Sequence, residues 1–170
     1  MGAHLIVDGY NLACSGVLPL SDDPASEAGR QELCALLAGY ARKKGFSLTV
    51  VFDGRGAGRP ERSRTAFKGG TAHFSSAFES ADDVIREMAR SAPTGTVVVT
   101  SDRGLAGTLP SRAVTVVSCA EFAGRLLDFQ IETIKGASDE DEAARRRGKK
   151  GVGHKAKKKD RKRESVLRRL

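Results

Sequence analysis

The chain of 170 residues is long enough for one domain of about 140 residues that buries its own core, together with some added sequence. Its three cysteines are far apart, its three histidines complete no zinc-binding spacing, and no apolar run approaches the roughly 18 residues of a membrane span. With no targeting segment at the N-terminus, we expect a cytoplasmic protein without a disulfide framework, a zinc site or a membrane partner. The net charge of +8 belongs to one end: residues 145–170 hold 14 lysines and arginines against two acids, whereas the preceding residues hold 15 against 19.

Short apolar runs that are rich in β-branched residues alternate with helical patterns along the chain. Their apolarity is continuous rather than alternating, which is typical of parallel strands buried on both faces. The predicted strands are Ala3–Val7, Ser47–Phe52, Thr96–Thr100 and Ala113–Val117, and the predicted helices are Glu27–Lys44, Ala81–Arg90 and Cys119–Ile134. The alternation predicts an α/β sandwich with a mainly parallel central sheet.

Two segments are assigned less simply. Thr65 to Ser75 is either one extra strand interrupted by Gly69 and Gly70, or a hairpin. After Ile134 the apolar pattern ends, so we divide the chain into a folded domain at residues 1–137 and a charged tail at 138–170. The tail is predicted to be disordered or partly helical.

Carboxylates follow three of the predicted strands. Asp8, Asp53 and Asp102 stand at or just after strand ends, and the segment Glu79–Asp83 opens a predicted helix. In an open parallel sheet the carboxyl ends of the strands border one crevice, which is where such folds bind ligands. We therefore expect these acids to converge there.

Each acid except Asp8 also has a structural explanation. Asp53 with Gly54 is a turn signal, Ser80 with Asp83 fits a capping box, and Ser101 or Asp102 suits the start of a short helix near Arg103. Asp8 is harder to explain in this way, since a carboxylate at the end of a core strand loses hydration without an evident partner. The repetition at equivalent places favours a site.

A crevice of carboxylates without histidine or cysteine favours a hard cation, Mg²⁺ or Mn²⁺. Such an ion suits metal-assisted hydrolysis of a phosphodiester. A phosphatase with an aspartate nucleophile is disfavoured, because those enzymes usually need a second aspartate two residues after the first, where this chain has Tyr10.

The motifs LIVDGYN, VVFDG, ESADDVI and VVTSD, in this order, resemble the YacP-like branch of the NYN domains, relatives of the PIN nucleases. The resemblance covers Ala3 to Ile134 and leaves the lysine-rich tail outside the shared pattern. It implies a PIN-like three-layer α/β/α sandwich in which the Asp8 strand is central, between the strands that end near Asp53 and Asp102. It also implies a divalent-metal-dependent endoribonuclease, with relatives that act on mRNA and associate with the ribosome.

The resemblance also implies roles for individual residues. Asp8, Asp82 and Asp102 are similar to the family's metal-binding catalytic carboxylates, and Asn11 to an amide that orients the first aspartate or a substrate phosphate. Supporting roles fall to three further residues, Asp53, Asp83 and Ser101, the last of which is expected to hydrogen-bond the site. Members of this superfamily often dimerise, but no patch of this sequence is assigned to a homodimer.

Two basic segments are expected to bind RNA. One is the loop after Phe52, with Arg55, Arg59, Arg62, Arg64 and Lys68, for which a merely solvated loop is the alternative. The other is the tail, where a high density of cations would bind phosphates without reading sequence; it includes Lys157, Lys158, Lys159 and Arg161. The alternative to a nuclease is a catalytically weak RNA-binding or ribosome-associated protein that retains the fold.

Overall fold

The computed structural model describes residues 3–55 and 60–142, which form six strands and five helices. In chain order these are β1 (His4–Asp8), α1 (Gly9–Ala13), α2 (Glu27–Lys44), β2 (Ser47–Phe52), β3 (Ser63–Phe67), β4 (Gly70–Phe74), α3 (Ala81–Arg90), β5 (Thr96–Val99), α4 (Arg103–Thr108), β6 (Val114–Val117) and α5 (Cys119–Glu142).

One six-stranded sheet, in the order β3-β4-β2-β1-β5-β6, forms the centre of the molecule. Every neighbouring pair is parallel except β3 and β4, which form an antiparallel hairpin at one edge. The hairpin is thus the correct one of the two alternatives for Thr65 to Ser75. The expected position of β1 is also confirmed, since it lies between β2 and β5.

Helices cover both faces of the sheet. Successive side chains along each buried strand point to opposite faces, so that a hydrophobic core forms on each side. Leu5 and Val7 pack on one side with α1, α2 and α5, whereas Ile6 packs on the other with α3 and α4. All three side chains are fully buried. The predicted three-layer α/β/α sandwich is therefore confirmed.

The ends of the helices follow local capping rules. The hydroxyl of Ser26 accepts a hydrogen bond from the Gly29 N–H at the start of α2, and Gly45 ends that helix with a positive φ of 74°. Ser80 and Asp83 form the predicted capping box of α3.

One helix was missed by the sequence prediction, and another extends into the segment that was predicted to be disordered or partly helical. The short helix α1 was not predicted, because five residues give no measurable helical periodicity; it forms directly after Asp8, whose side chain caps it. Helix α5 continues beyond Ile134 to Glu142. Within the residues that the structure describes, no helix is long and apolar enough to span a membrane.

Gly54 brings the ends of β2 and β4 together. Its N–H donates to Ser75 Oγ at 2.9 Å, and the Ser75 N–H donates to the Phe52 carbonyl at 3.1 Å. A Cβ at position 54 would lie 2.0 Å from the Ser75 carbonyl oxygen. Only glycine allows this approach.

Replacing Gly54 with alanine is expected to lower the free energy of unfolding by about 2–3 kcal/mol, since the obstructing atom belongs to the backbone beside β4. The matched control is Gly107→Ala in α4, where a Cβ would meet nothing within 4 Å. There alanine should raise stability by roughly 0.5 kcal/mol through its helix propensity. Urea unfolding followed by circular dichroism measures both, and equal losses would contradict the explanation.

Candidate active site

The carboxyl ends of β1, β2 and β5 meet at one edge of the sheet. Asp8 is the last residue of β1, Asp53 follows β2, and Thr100 to Asp102 follow β5. The connection from β1 leads to β2 on one side, whereas β5 lies on the other, so strand order reverses at β1. This is where open α/β sheets bind ligands.

Asp8 is only 5% exposed, yet its carboxylate is well supplied with donors. The Asn11 N–H donates to Oδ1 at 3.2 Å, and the Asn11 amide donates to Oδ2 at 2.8 Å. Thr100 Oγ1 donates to the same Oδ2 at 3.3 Å. Asn11 therefore orients Asp8, in agreement with one of the two roles that the family resemblance implied for it.

Burial has a larger effect on the pKa of Asp8 than these hydrogen bonds have. Desolvation raises the pKa of Asp8, the hydrogen bonds from Asn11 and Thr100 lower it, and the charge of Asp102 raises it again. The net direction is upward, so the ionised carboxylate is held at a cost that an additional positive charge would offset.

Thr100 connects two of the candidate residues. While its hydroxyl donates to Asp8, its Oγ1 accepts from the Asp102 N–H at 3.1 Å. Sequence analysis gave Thr100 no role. The one feature that could have indicated a role is that Thr100 directly follows the buried strand β5. The hydroxyl expected to serve the site was that of Ser101, but its Oγ accepts from the Cys119 N–H at the start of α5.

Asp102 has a structural role and faces the crevice as well. Its Oδ1 accepts from the Leu105 N–H at 2.7 Å and so caps α4, as one alternative predicted. No hydrogen bond to its Oδ2 is formed by the residues in ranges 3–55 and 60–142. One oxygen thus holds the helix, and the other is available to a ligand.

Asp82 completes a group of three charges. It is partly buried in the first turn of α3. Its pKa is raised first by desolvation, then by the charges of Asp102 and Asp8. The charge of Asp102 thus acts on both of the other aspartates, which indicates that the three side chains share one crevice. We call Asp8, Asp82 and Asp102 the aspartate group.

The remaining acids are engaged elsewhere. Asp53 Oδ1 accepts from the Arg55 N–H at 2.8 Å and its Oδ2 from the Ala81 N–H at 3.4 Å, so that it connects the turn after β2 to the start of α3. Asp83 accepts from Ser80 in the capping box, and these bonds together with an ion pair to Arg86 lower its pKa to about 2. Both residues support the crevice from outside it.

The basic residues of the predicted RNA-binding loop fall into different groups. Arg62 is paired with Glu79 and Glu87, each at 2.7 Å, and its pair with Glu79 lowers the pKa of that carboxylate to about 2. Arg55 donates to the Glu79 carbonyl at 3.2 Å. Because two carboxylates already neutralise Arg62, it is a weaker phosphate ligand than its sequence position indicated.

Arg64 and Lys68 are exposed on the hairpin, and neither side chain forms an ion pair or hydrogen bond with the part of the chain that the structure describes. Arg59 and the tail residues Lys157, Lys158, Lys159 and Arg161 lie outside the described residues. Arg64 and Lys68 therefore remain the available cations of the loop.

The aspartate group has the chemistry of a hard-cation site, although no three acidic, histidine or cysteine side chains among the described residues are arranged to enclose a metal ion by themselves. Mg²⁺ does not require such an enclosure, since it keeps several waters and usually takes only one or two carboxylates from the protein. Its charge would also offset the desolvation and the repulsion that together raise the pKa values of Asp8 and Asp82. The donor set fits Mg²⁺ or Mn²⁺.

The neighbours Asp82 and Asp83 allow a test of this repulsion. Asp83→Asn should lower the free energy of unfolding by about 1 kcal/mol, because it weakens a helix cap. Asp82→Asn, measured without divalent cations, should leave the free energy of unfolding unchanged or raise it by roughly 0.5 kcal/mol, a value that allows for screening by solvent. Thermal unfolding in EDTA at low ionic strength measures both variants.

The pH dependence follows from the sign of the shift. A carboxyl group with a raised pKa stabilises the fold most when protonated, and that contribution is lost as pH rises from 3.8 through the raised value. Any advantage of Asp82→Asn should therefore be present at pH 7 and vanish towards pH 3. An Asp82→Asn variant that is as unstable as Asp83→Asn at every pH would contradict the repulsion.

Comparison with known proteins identifies the family of the chain. The family model of the YacP-like NYN domain matches residues 5–168. The match extends past Ile134 into the tail, which corrects our expectation that the tail lies outside the shared pattern. No curated protein matches the chain.

Two solved structures share the fold. A mutant form of Rae1 (YacP) from Bacillus subtilis superposes with a TM-score of 0.63 at 20% sequence identity, covering 98% of this chain and 91% of that one. Another crystal structure of Rae1 (YacP) gives 0.58 at 22% identity, covering 97% and 90%. With a family match across almost its whole length, the chain belongs to the YacP-like NYN domain family, which is part of the PIN-like nucleases.

Proposed function

We propose that this protein is a divalent-metal-dependent endoribonuclease that hydrolyses RNA phosphodiester bonds at the aspartate group. The observation that carries the proposal is the position of three aspartates at the carboxyl edge of a nuclease-family sheet, where burial, and in addition the charge of Asp102, raises the pKa of both Asp8 and Asp82. Carboxylates kept together against their repulsion are expected where a cation binds.

Mg²⁺ or Mn²⁺, held by Asp8, Asp82 and Asp102, would activate water and neutralise the charge that develops on the leaving oxygen. The protein's own residues prepare the ligands. Asn11 and Thr100 hold both oxygens of Asp8 in place, and the Leu105 N–H fixes the rotamer of Asp102. Such preorganisation reduces the reorganisation needed during reaction.

RNA, in particular mRNA on or near the ribosome, is the proposed substrate. Arg64 provides unpaired positive charge on β3, and Arg55 and Arg59 belong to the segment between β2 and β3, whereas Lys68 follows β3 at the far end of the hairpin. The basic part of the tail, residues 145–170 with a net charge of +12, would hold the RNA backbone or the ribosome without reading sequence. Such anchoring would raise the local substrate concentration.

The cytoplasm is the proposed compartment. Cys14, Cys34 and Cys119 are all free thiols, as expected where thiols are kept reduced. Burial raises the pKa of Cys34 to about 11, so that this thiol is unreactive at neutral pH. The proposal requires only one protomer, and a homodimer would be detected by sedimentation.

Cleavage of single-stranded and structured RNA with Mn²⁺, Mg²⁺ or EDTA tests the activity. Wild type should cut with either metal and not in EDTA. Asp8→Asn, Asp82→Asn and Asp102→Asn should each lose at least about 100-fold in kcat/KM, because each removes a charge that the cation requires. Asp83→Asn is the matched control and should stay within roughly fivefold of wild type, since its carboxylate serves the helix cap.

The possible outcomes separate the hypotheses. Cutting that survives all three substitutions would indicate a different site. Loss of cutting in Asp83→Asn equal to that in Asp82→Asn would indicate that α3 matters for structure rather than chemistry. Tight RNA binding by a wild type that never cuts would favour a catalytically weak RNA-binding or ribosome-associated protein.

Deletion of residues 143–170 tests the tail. RNA affinity at low salt should fall at least about tenfold. The dependence of log affinity on log salt should become shallower, its slope smaller in magnitude by roughly 3 or more, because the counterions released by the tail no longer contribute. A shuffled tail of the same composition should restore both values. An unchanged slope after deletion, or failure of ribosome co-sedimentation to depend on the tail, would refute the anchoring role.

A further inference from the structure

A cavity of about 770 Å³ opens beside the aspartate group. It lies between the N-terminal half of α2, the carboxyl end of β2 and the β3–β4 hairpin. Its lining includes Tyr10, Arg30, Phe52, Phe74 and Lys68. Neither the aspartate group nor the proposed hydrolysis makes use of it.

Aromatic rings form its inner wall. Phe52 and Phe74 stack with centroids 5.5 Å apart at 22°, and Tyr10 meets Phe52 edge-on at 5.2 Å. Phe52 is fully buried, whereas Tyr10 and Phe74 are only partly buried and so present surface to the cavity. This wall can hold a flat aromatic ligand.

Arg30 is fixed at the same wall. Its guanidinium carbon lies 5.9 Å from the centre of the Phe74 ring, and its Nη1 donates to Tyr10 Oη at 3.3 Å and to the Ala25 carbonyl. Because these contacts hold the guanidinium plane in place, little side-chain entropy remains to be lost when a ligand stacks on it.

The mouth of the cavity is polar. Gln31 is exposed there, and Asp53 contributes a carboxylate that already accepts two backbone N–H groups, whereas Lys68 lines the cavity from the far end of the hairpin. A purely apolar ligand would remove water from these groups without replacing their hydrogen bonds. A ligand with a flat apolar face and a polar edge meets both requirements.

The cavity is adjacent to the candidate catalytic residues. Asp8 pairs in register with Val51, the residue before Phe52, and Tyr10 stands two residues after Asp8. Neighbouring strands are about 4.8 Å apart, so the aromatic wall begins roughly one strand spacing from β1. A nucleotide whose phosphate lies at Asp8 could therefore place a neighbouring base in the cavity.

We propose that this cavity binds one unpaired RNA base next to the scissile phosphodiester, by stacking on the surface formed by Arg30, Phe74 and Tyr10. Unstacked bases in single-stranded RNA are recognised in this way, on aromatic and guanidinium faces. The inference rests on the proposed function for its ligand, and it adds that the enzyme positions single-stranded RNA by a base as well as by its backbone.

The test uses the full-length Asp8→Asn protein in EDTA, so that binding is measured apart from cleavage. The probes are short single-stranded RNAs in which each base in turn is replaced by fluorescent 2-aminopurine. Fluorescence should be quenched when the probe base enters the cavity, and one position should be quenched far more than the others. An abasic residue at that position should weaken binding about tenfold.

Two pocket variants and one control make the assignment specific. Arg30→Ala removes the stacking guanidinium, and Ala35→Leu fills the cavity from an exposed position on α2. Ala28→Leu, also exposed on α2 but outside the cavity, is the matched control. Both pocket variants should lose the quenching and about tenfold in affinity, and the abasic substitution should cost them nothing further.

Other results would overturn the inference. If no position is quenched, or if Ala35→Leu binds as the control does, the base is not in the cavity. If Arg30→Ala weakens intact and abasic RNA equally and reduces the salt slope by about 1, Arg30 contacts phosphate instead. Absence of RNA binding by this metal-free variant would likewise overturn the inference about the cavity. Each of these results leaves the nuclease proposal to the cleavage assay.

Discussion

The arrangement of this molecule depends on one buried charge. Asp8 ends the central strand at 5% exposure, where desolvation raises its pKa despite donors from Asn11 and Thr100. A carboxylate in such a place is tolerated only if hydrogen bonds, a cation or both support it. Helix α1 begins at Asp8, and β5 supplies Thr100 beside it, so the local structure at the edge of the sheet is organised around this one side chain.

The same carboxylates hold the fold and form the candidate site. Asp8 and Asp102 cap α1 and α4, and Asp83, next to Asp82, closes the capping box of α3. An aspartate that caps a helix keeps a fixed rotamer, and Oδ1 of Asp8 and Oδ2 of Asp102 retain lone pairs for a ligand. Structural and functional explanations of these residues are therefore not exclusive. The cap supplies the precise orientation that a metal-dependent hydrolysis requires.

Much of this was predictable from the sequence alone. Strands buried on both faces leave continuous apolar runs, long helices leave a periodic pattern, and Ser80 with Asp83 is a local capping signal. These features depend on neighbouring residues, so the parallel α/β class, the bounds of α2 and α3 and the aspartates at strand ends could be read directly. The motifs also indicated the family, which the match over residues 5–168 shows.

Contacts between distant segments were decided only by the tertiary structure. Thr100 reaches Asp8 across 92 positions, Arg62 pairs with Glu79 and Glu87 on other elements, and the cavity combines α1, α2, β2 and the hairpin. No local pattern encodes such partners, because they depend on strand order and on which face of each helix meets the sheet. The local pattern of residues shows which side chains stand at the carboxyl ends of the strands. Their mutual repulsion, their donors and the aromatic wall beside them exist only once the chain is folded.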